Sequence, residues 1–264
     1  MGKEKYLMNY HNEIHRIEKQ IDYDGMKDDF KKAFEEYRRK KSEMQCPTPS
    51  DTGINRFRIL TENDILELIN PVLTLAIRDP QESFYIGMSL YDISTLKEQA
   101  LKLIIRASEG GISNASYILA LFYLYGKEIG MTRCNKKKHV YYLNLAFEQD
   151  NDNVYALNLL GANYALGTSG FDKDLKKAFD FCSKASDLGF ASAQRNLSQF
   201  YMYGDVVDRD VAKALSLLEK AGEGGDFIAI IDLCYYYENI ALDEKKAEYW
   251  MNVGKSRMKM LAAE

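Results

Sequence analysis

Two histidines near the start of the chain have the spacing of a metal site. His11 and His15 in HNEIH lie four residues apart, so a helix would place both imidazoles on one face, where they could chelate a transition metal. The pattern differs from H-E-x-x-H because position 12 is Asn, and no third ligand is visible. A metal-dependent protein or enzyme that uses the N-terminal helices is therefore the alternative hypothesis for this chain.

The other residue types that carry chemistry form no catalytic constellation. Serines are plentiful, but the third histidine, His139, is expected to pack inside the fold, which leaves no base for a nucleophile. The glycine pairs near positions 110 and 224 fit neither nucleotide-binding motif, because they end helices and no strand precedes them. These patterns predict that the chain is not an enzyme and holds no cofactor and no metal.

Two basic runs raise the question of whether the chain binds nucleic acid. They are YRRKK at 37–41 and KKKH at 136–139. A nucleic-acid surface would join such runs with aromatic residues on one face of a positive domain, whereas this chain has a formal net charge of -4 and a pI near 5.6. We therefore expect solvated surface at both runs and no nucleic-acid partner.

The cysteines and the N-terminus indicate a compartment. Cys46, Cys134, Cys182 and Cys234 form no C-x-x-C pair, which is typical of free thiols in a reducing environment. The first residues contain no apolar core of a signal peptide, and no apolar run reaches the roughly 18 residues of a membrane span. The sequence predicts a cytoplasmic protein that does not engage a membrane.

A repeated octet of residues predicts the helices that would position any functional residue. The octet is spelled LALFYLYG at 119–126, LGANYALG at 160–167 and LSQFYMYG at 197–204, and its leading apolar position recurs at Ile86 and Leu233. Internal repetition at such an interval is the signature of a stacked helical array. The octet is therefore expected to be one helix of a repeated unit.

The positions that recur in every copy of the octet lie on one side of this helix. Positions four before and four after the leading residue drift only about 40° around a helix, so together they make a buried seam. The position directly after the leading residue is small in all five copies, which predicts a close approach of a neighbouring helix. These small residues are Gly87, Ala120, Gly161, Ser198 and Cys234.

A second helix follows the first in each unit. Small residues seven apart recur downstream, and glycines that stop helices, such as Gly126, Gly167 and Gly204, separate the two registers. Such two-helix units bury a core only by stacking, which predicts an all-α fold, an α-solenoid of about five repeats. The repeats are expected near 82–114, 115–155, 156–192, 193–228 and 229–257, within a solenoid at 61–264 that follows an N-terminal helical extension at 1–45 and a linker at 46–60.

The pattern A-x-x-x-L-G-x-x-Y-x-x-G, followed by a loop with Asp and then K-A-x-x-W, resembles the Sel1-like repeat, a relative of the TPR. The resemblance covers roughly residues 80–260, and the copy from Ala115 departs from it through a long loop and through His139 in place of Ala. The two best copies are Ala156, Leu160, Gly161, Tyr164, Gly167, Asp174, Lys177 and Ala178, and Ala193, Leu197, Tyr201, Gly204, Asp210, Lys213 and Ala214; Lys246, Ala247 and Trp250 match the second helix.

The resemblance implies a right-handed superhelix that acts as a scaffold or adaptor by holding another protein, without chemistry of its own. The roles it implies include a signalling adaptor, a host-directed effector and a bacterial immunity protein that neutralises a toxin. It does not identify the partner protein.

A partner is expected on the first helix of each unit, opposite the seam. The position four residues before the leading apolar residue is Glu82, Ala115, Ala156, Ala193 or Ala229 in successive copies. We call the positions two, six and nine residues after it the first-helix stripe, which tends to line the concave surface of a solenoid. In the first two repeats its residues are large and apolar, as at an interaction site. The residues proposed for partner binding are Phe84, Met88, Tyr91, Tyr117, Leu121, Leu124, Asn158, Arg195, Gln199, Met202, Tyr235 and Glu238.

A second interpretation of the apolar part of this stripe is that the chain itself covers it. Residues 1–45 contain two amphipathic helical patterns that need a surface to pack on. These helices could cover the stripe or associate with a second copy of the chain. The sequence leaves the partner groove and self-coverage as alternatives.

Overall fold

The computed structural model describes residues 28, 31–33, 35, 36, 39, 79–91, 96–129 and 134–261. His11, His15, Cys46, most of the predicted N-terminal extension and the linker at 46–60 lie outside the described residues, so the predictions made for them stay predictions. The described residues form an all-α structure without strands, which confirms the predicted fold class.

The helices of residues 79–261 come in five consecutive pairs. They are α1 (Pro80–Leu90) with α2 (Lys97–Glu109), α3 (Ser113–Ile129) with α4 (Lys136–Gln149), α5 (Val154–Leu166) with α6 (Leu175–Asp187), α7 (Ala191–Tyr203) with α8 (Val211–Glu223), and α9 (Phe227–Asn239) with α10 (Glu244–Leu261).

The chain divides into two compact units, residues 1–149 and residues 150–264. The first unit contains α1 to α4, and the second contains α5 to α10.

The first and second helices of a pair are joined in the same way in four repeats. The Asp174 carboxylate accepts from the Lys177 N–H at 3.0 Å and so caps α6, while the Asp174 N–H donates to the Tyr164 carbonyl at 2.9 Å. The second helix therefore starts at a fixed point of the first. The equivalent residues are Asn135 with Tyr123, Asp210 with Tyr201, and Asp243 with Tyr237.

A lysine of the second helix lies over the ring of the same tyrosine. The Lys213 Nζ is 4.1 Å from the centroid of the Tyr201 ring and donates to its hydroxyl at 2.8 Å. A cation above an aromatic face is attracted by the ring quadrupole. The contact recurs in the pairs Lys138 with Tyr123, Lys177 with Tyr164, and Lys246 with Tyr237, and we call all four the Lys–Tyr pairs.

The predicted seam is buried, and the small residues beside it mark a close helix approach. Ile86, Leu119, Leu160, Leu197 and Leu233 are all buried. A Cβ added at Gly161 would lie 2.6 Å from the Cys182 Sγ, and one added at Gly87 would lie 2.6 Å from the Ile104 Cγ1. At Gly87 and Gly161 the two helices of a pair therefore pack too closely for a side chain.

Gly126 does not end a helix, whereas the equivalent residues Gly167 and Gly204 do. Gly167 and Gly204 are left-handed caps with φ of 62° and 76°, as the sequence predicts. Gly126 is instead buried inside α3, which continues to Ile129. The prediction of a stop at Gly126 is wrong, because the long connection after it leaves room for additional helical residues before Asn135 caps α4.

Candidate protein interaction surface

The first-helix stripe of the first unit is buried. Phe84, Met88, Tyr91, Tyr117 and Leu121 are all buried, and Leu124 is half-buried. Exposed apolar anchors at these positions were one of two sequence predictions, and the burial corrects it: this part of the stripe is not an open surface. Self-coverage by residues 1–45 stays a prediction, because most of those residues lie outside the described ones.

The reason is that the first helices of the first unit are internal on all sides. Every residue from Glu82 to Met88 in α1 is buried, and so is every residue from Ala115 to Tyr123 in α3. A helix that buries its whole circumference belongs to a core, whereas a surface helix keeps one polar face. In these helices the seam and the stripe both face protein.

The stripe of the second unit is open to solvent. Gln199, Tyr235 and Glu238 are exposed, with Tyr235 at 62% of its full accessibility, and Met202 is half-buried. Tyrosine and methionine suit protein contacts because they offer large apolar areas with adaptable geometry. The exposed predicted contact residues therefore lie on α7 and α9.

Two predicted contact residues of this stripe are used inside the protein. The Arg195 Nε lies 3.3 Å from the Asp226 Oδ1, and the two side chains are only 15% and 6% exposed. Asp226 also caps α9 by accepting from the Ala229 N–H at 2.9 Å, so the ion pair links α7 to the start of α9. The prediction of Arg195 as a free polar contact is corrected, because its charge is neutralised internally.

Asn158 has a similar internal bond. The Asn196 Nδ2 donates to the Asn158 Oδ1 at 2.9 Å, which connects α5 with α7. Both asparagines are half-buried. These interhelical bonds fix the spacing of the first helices, which holds the exposed residues of the stripe in place.

His139 is fully buried between α3 and α4. One ring nitrogen, Nδ1, is 2.8 Å from the Ala120 carbonyl and donates to it in the tautomer that carries its proton there. Burial lowers the pKa of His139, and the hydrogen bond to Ala120 opposes this only partly. The imidazole therefore serves packing as a neutral group.

The described residues show no metal cluster. No group of three or more His, Cys, Asp and Glu side chains is placed to hold a metal within the described ranges. Lys136, Lys137 and Lys138 are exposed, as expected for solvated surface. Burial raises the pKa of Cys182 to about 12, which makes this thiol a poor nucleophile.

The comparisons with known proteins identify the repeat. The profile of the Sel1 repeat matches three segments, residues 113–151, 154–190 and 191–226. These segments contain the pairs α3 with α4, α5 with α6, and α7 with α8. Sel1 repeats generally mediate protein–protein interaction or scaffolding.

Two curated relatives are similar to part of this chain. Chitin synthase regulator SKT5 of Saccharomyces cerevisiae is 32% identical over 135 residues, which are 51% of this chain and 19% of the relative. Cytochrome c oxidase assembly factor 7A of Xenopus laevis is 40% identical over 62 residues, which are 24% of this chain and 27% of the relative. The similarity therefore spans less than a third of either relative.

Solved structures share the fold. A Sel1 repeat protein from Oxalobacter formigenes superposes with a TM-score of 0.62 at 19% identity and covers 84% of this chain and 86% of its own. The protective antigen c5321 of uropathogenic Escherichia coli, which has an SLR fold, gives 0.59 at 20% identity over 85% of this chain and 46% of its own. Residues 113–226 are therefore three Sel1 repeats, and the chain has the α-solenoid type of fold that these structures share.

Proposed function

We propose that this chain is a non-enzymatic scaffold that binds a partner protein through the first-helix stripe of its second unit. The observation that carries the proposal is the exposure of Gln199, Tyr235 and Glu238 on the first helices, where the equivalent positions of the first unit are buried or half-buried. A rigid surface of tyrosine, methionine and polar side chains binds protein at a low entropic cost.

The internal bonds of the stripe support this proposal. Arg195 and Asn158 tie neighbouring first helices together through Asp226 and Asn196. Side chains presented from helices held in this way are pre-organised, so a partner loses less free energy in ordering them. Binding is therefore expected to centre on α7 and α9.

A site-specific cross-linker tests the surface directly. A photo-reactive amino acid at position 235 is expected to capture a protein in cells that express the chain natively, and mass spectrometry then identifies it. The matched control places the same amino acid at Tyr141, a tyrosine of α4 with a similar exposure of 60%. Capture at both positions of the same proteins would indicate non-specific contact.

Affinity measurements with the captured protein complete the test. Tyr235→Ala and Glu238→Ala are expected to weaken binding of the purified partner roughly tenfold or more, which is the range of an interface anchor. Tyr141→Ala is expected to leave it unchanged. Unchanged affinity in all three variants would refute the assignment of the stripe.

The identity of the partner separates the narrower roles. A toxin as the captured protein would support an immunity protein, whereas a component of a signalling assembly would support an adaptor. The alternative role, a metal-dependent protein that uses His11 and His15, has a separate test: purified full-length chain is analysed for bound zinc and other transition metals, and stoichiometric metal that is lost in His11→Ala would favour it.

A further inference from the structure

The last second helix, α10, presents a face that inner repeats bury. The reference positions are Ala178 of α6, Ala214 of α8 and Ala247 of α10. In α6 and α8 the residues one and four positions after this alanine lie in apolar clusters that include residues of the next repeat. Phe179 of α6 stacks edge to face on Phe200 of α7 at 5.6 Å, and Leu218 of α8 lies in one apolar cluster with Leu233 of α9. The equivalent residues of α10 lie on the face that a further repeat would cover.

These equivalent residues of α10 are exposed. They are Glu248, where α6 and α8 have Phe179 and Leu215, and Met251, where they have Cys182 and Leu218. Cys182 and Leu218 are buried, whereas Met251 is 44% exposed. No further helix follows α10 in the described part of the chain. An apolar position of the repeat core is thus open to solvent on α10.

The exposed residues of this face follow a heptad. From Glu244 to Met258 they lie four and three residues apart alternately, the spacing at which two helices pack along a seam, and Lys259 is adjacent to Met258. All are exposed, and Met258 reaches 54%. We call this the α10 face, and it consists of Glu244, Glu248, Met251, Lys255, Met258 and Lys259.

The charges of the α10 face are segregated by sign. The two glutamates precede Met251 and the lysines follow it, so the face is acidic at one end and basic at the other. An antiparallel copy would place Glu248 opposite Lys255 and Glu244 opposite Lys259, because both pairs have the same midpoint beside Met251. A two-fold axis there creates each of these contacts twice.

We infer that the α10 face is a homodimer interface, in which two copies of this chain pack their α10 helices antiparallel about a two-fold axis near Met251. Charge complementarity selects a second copy as the occupant, since a surface that is its own complement under a two-fold rotation matches itself. The surface is distinct from the first-helix stripe, so the inference is independent of the proposed function.

Analytical ultracentrifugation of the purified full chain tests the inference. Wild type is expected to sediment as a concentration-dependent monomer–dimer mixture, and added salt is expected to weaken the dimer because its ion pairs are at the surface. Glu248→Lys and Lys255→Glu are each expected to weaken it roughly tenfold or more, because each places like charges opposite one another.

Combining the two changes distinguishes this geometry from a general loss of solubility or charge. The double variant Glu248→Lys with Lys255→Glu is expected to dimerise again, and a mixture of the two single variants is expected to form a heterodimer. Lys220→Glu, an exposed lysine of α8, controls for the change in net charge. Failure of rescue, no complex in the mixture, or a wild type that stays monomeric would each overturn the inference.

Discussion

The two units place the same stripe of the same repeat in opposite surroundings. In the first unit the stripe reads Phe, Met and Tyr in α1 and is buried, whereas in the second unit it includes Gln199, Tyr235 and Glu238 and is exposed. The seam residues are buried in both units. The repeat therefore specifies how two helices pair, while the residues outside its motif decide which faces become surface.

The largest contrast is expected from a charge placed on the stripe. Tyr117→Glu buries a carboxylate at a position that is 1% exposed, and an unpaired buried charge destabilises a protein by about 3–5 kcal/mol. Tyr235→Glu is expected to change the free energy of unfolding by less than about 0.5 kcal/mol, since its side chain is in water. Urea unfolding with hydrogen exchange on peptides of each unit measures both. Similar effects of the two variants would contradict the contrast.

A smaller loss is expected from the close helix approach, which the two units share. Gly161→Val brings a side chain against Cys182, and overpacking of this kind costs about 1–3 kcal/mol. Gly87→Val is expected to cost a similar amount in the first unit because Ile104 is equally close. Ala162→Val on α5 is the control for helix propensity, and a loss as large as that of Gly161→Val would show that packing is not the cause.

Acid is expected to destabilise the first unit through His139. Burial lowers the pKa of His139 below 6.5, so the unfolded chain takes up this proton first as the pH falls. The stability contributed by neutral His139 is complete above about pH 6.5 and is lost below it, by at most about 1.4 kcal/mol per pH unit. Residues 150–264 contain no histidine, so the second unit should lack this dependence.

The variant His139→Ala isolates this effect from the other two histidines. It restores the alanine that the repeat has at this position in α6 and α8. The free energy of unfolding of this variant, measured in urea, should depend less on pH below about 6.5. Retention of the full dependence in the variant would assign it to another group.

The smallest effect is expected in thiol reactivity, which reports burial without changing stability. Among the three cysteines of the described residues, Cys134 is exposed and should be alkylated by iodoacetamide first. Cys182 should react last, because it is buried and its pKa is raised to about 12, which leaves almost no thiolate at neutral pH. Mass spectrometry of the native protein against time gives the order. Early labelling of Cys182 would mean that α5 and α6 separate readily.

The sequence predicts the parts of this fold that depend on local pattern. The phase of Leu119, Leu160 and Leu197 identifies the seam, and the small residues at Gly87 and Gly161 identify the close approach, because both follow from helical periodicity. An alignment of the repeats could also have identified the lysines of the Lys–Tyr pairs, since each directly precedes His139, Ala178, Ala214 or Ala247.

The candidate site is less predictable, because exposure depends on contacts distant in sequence. Tyr117 and Tyr235 occupy the same stripe, yet one is buried and the other is exposed. Arg195 looks like a polar contact by phase, but Asp226 lies 31 residues further along the chain and pairs with it. For the apolar stripe of α1 and α3 the sequence left a partner groove and self-coverage as alternatives, and it did not predict that these helices are buried on every side.

The Lys–Tyr pairs make each connection between paired helices independent of its own length. The lysine follows its tyrosine by 15 residues in α3 and α4, by 12 in α7 and α8, and by 9 in α9 and α10, and the same contact forms each time. The connection can thus vary while the helix pair stays closed. A foreign peptide grafted between Gly204 and Arg209 would be displayed as a side loop, which makes the repeat a cassette for carrying inserted epitopes.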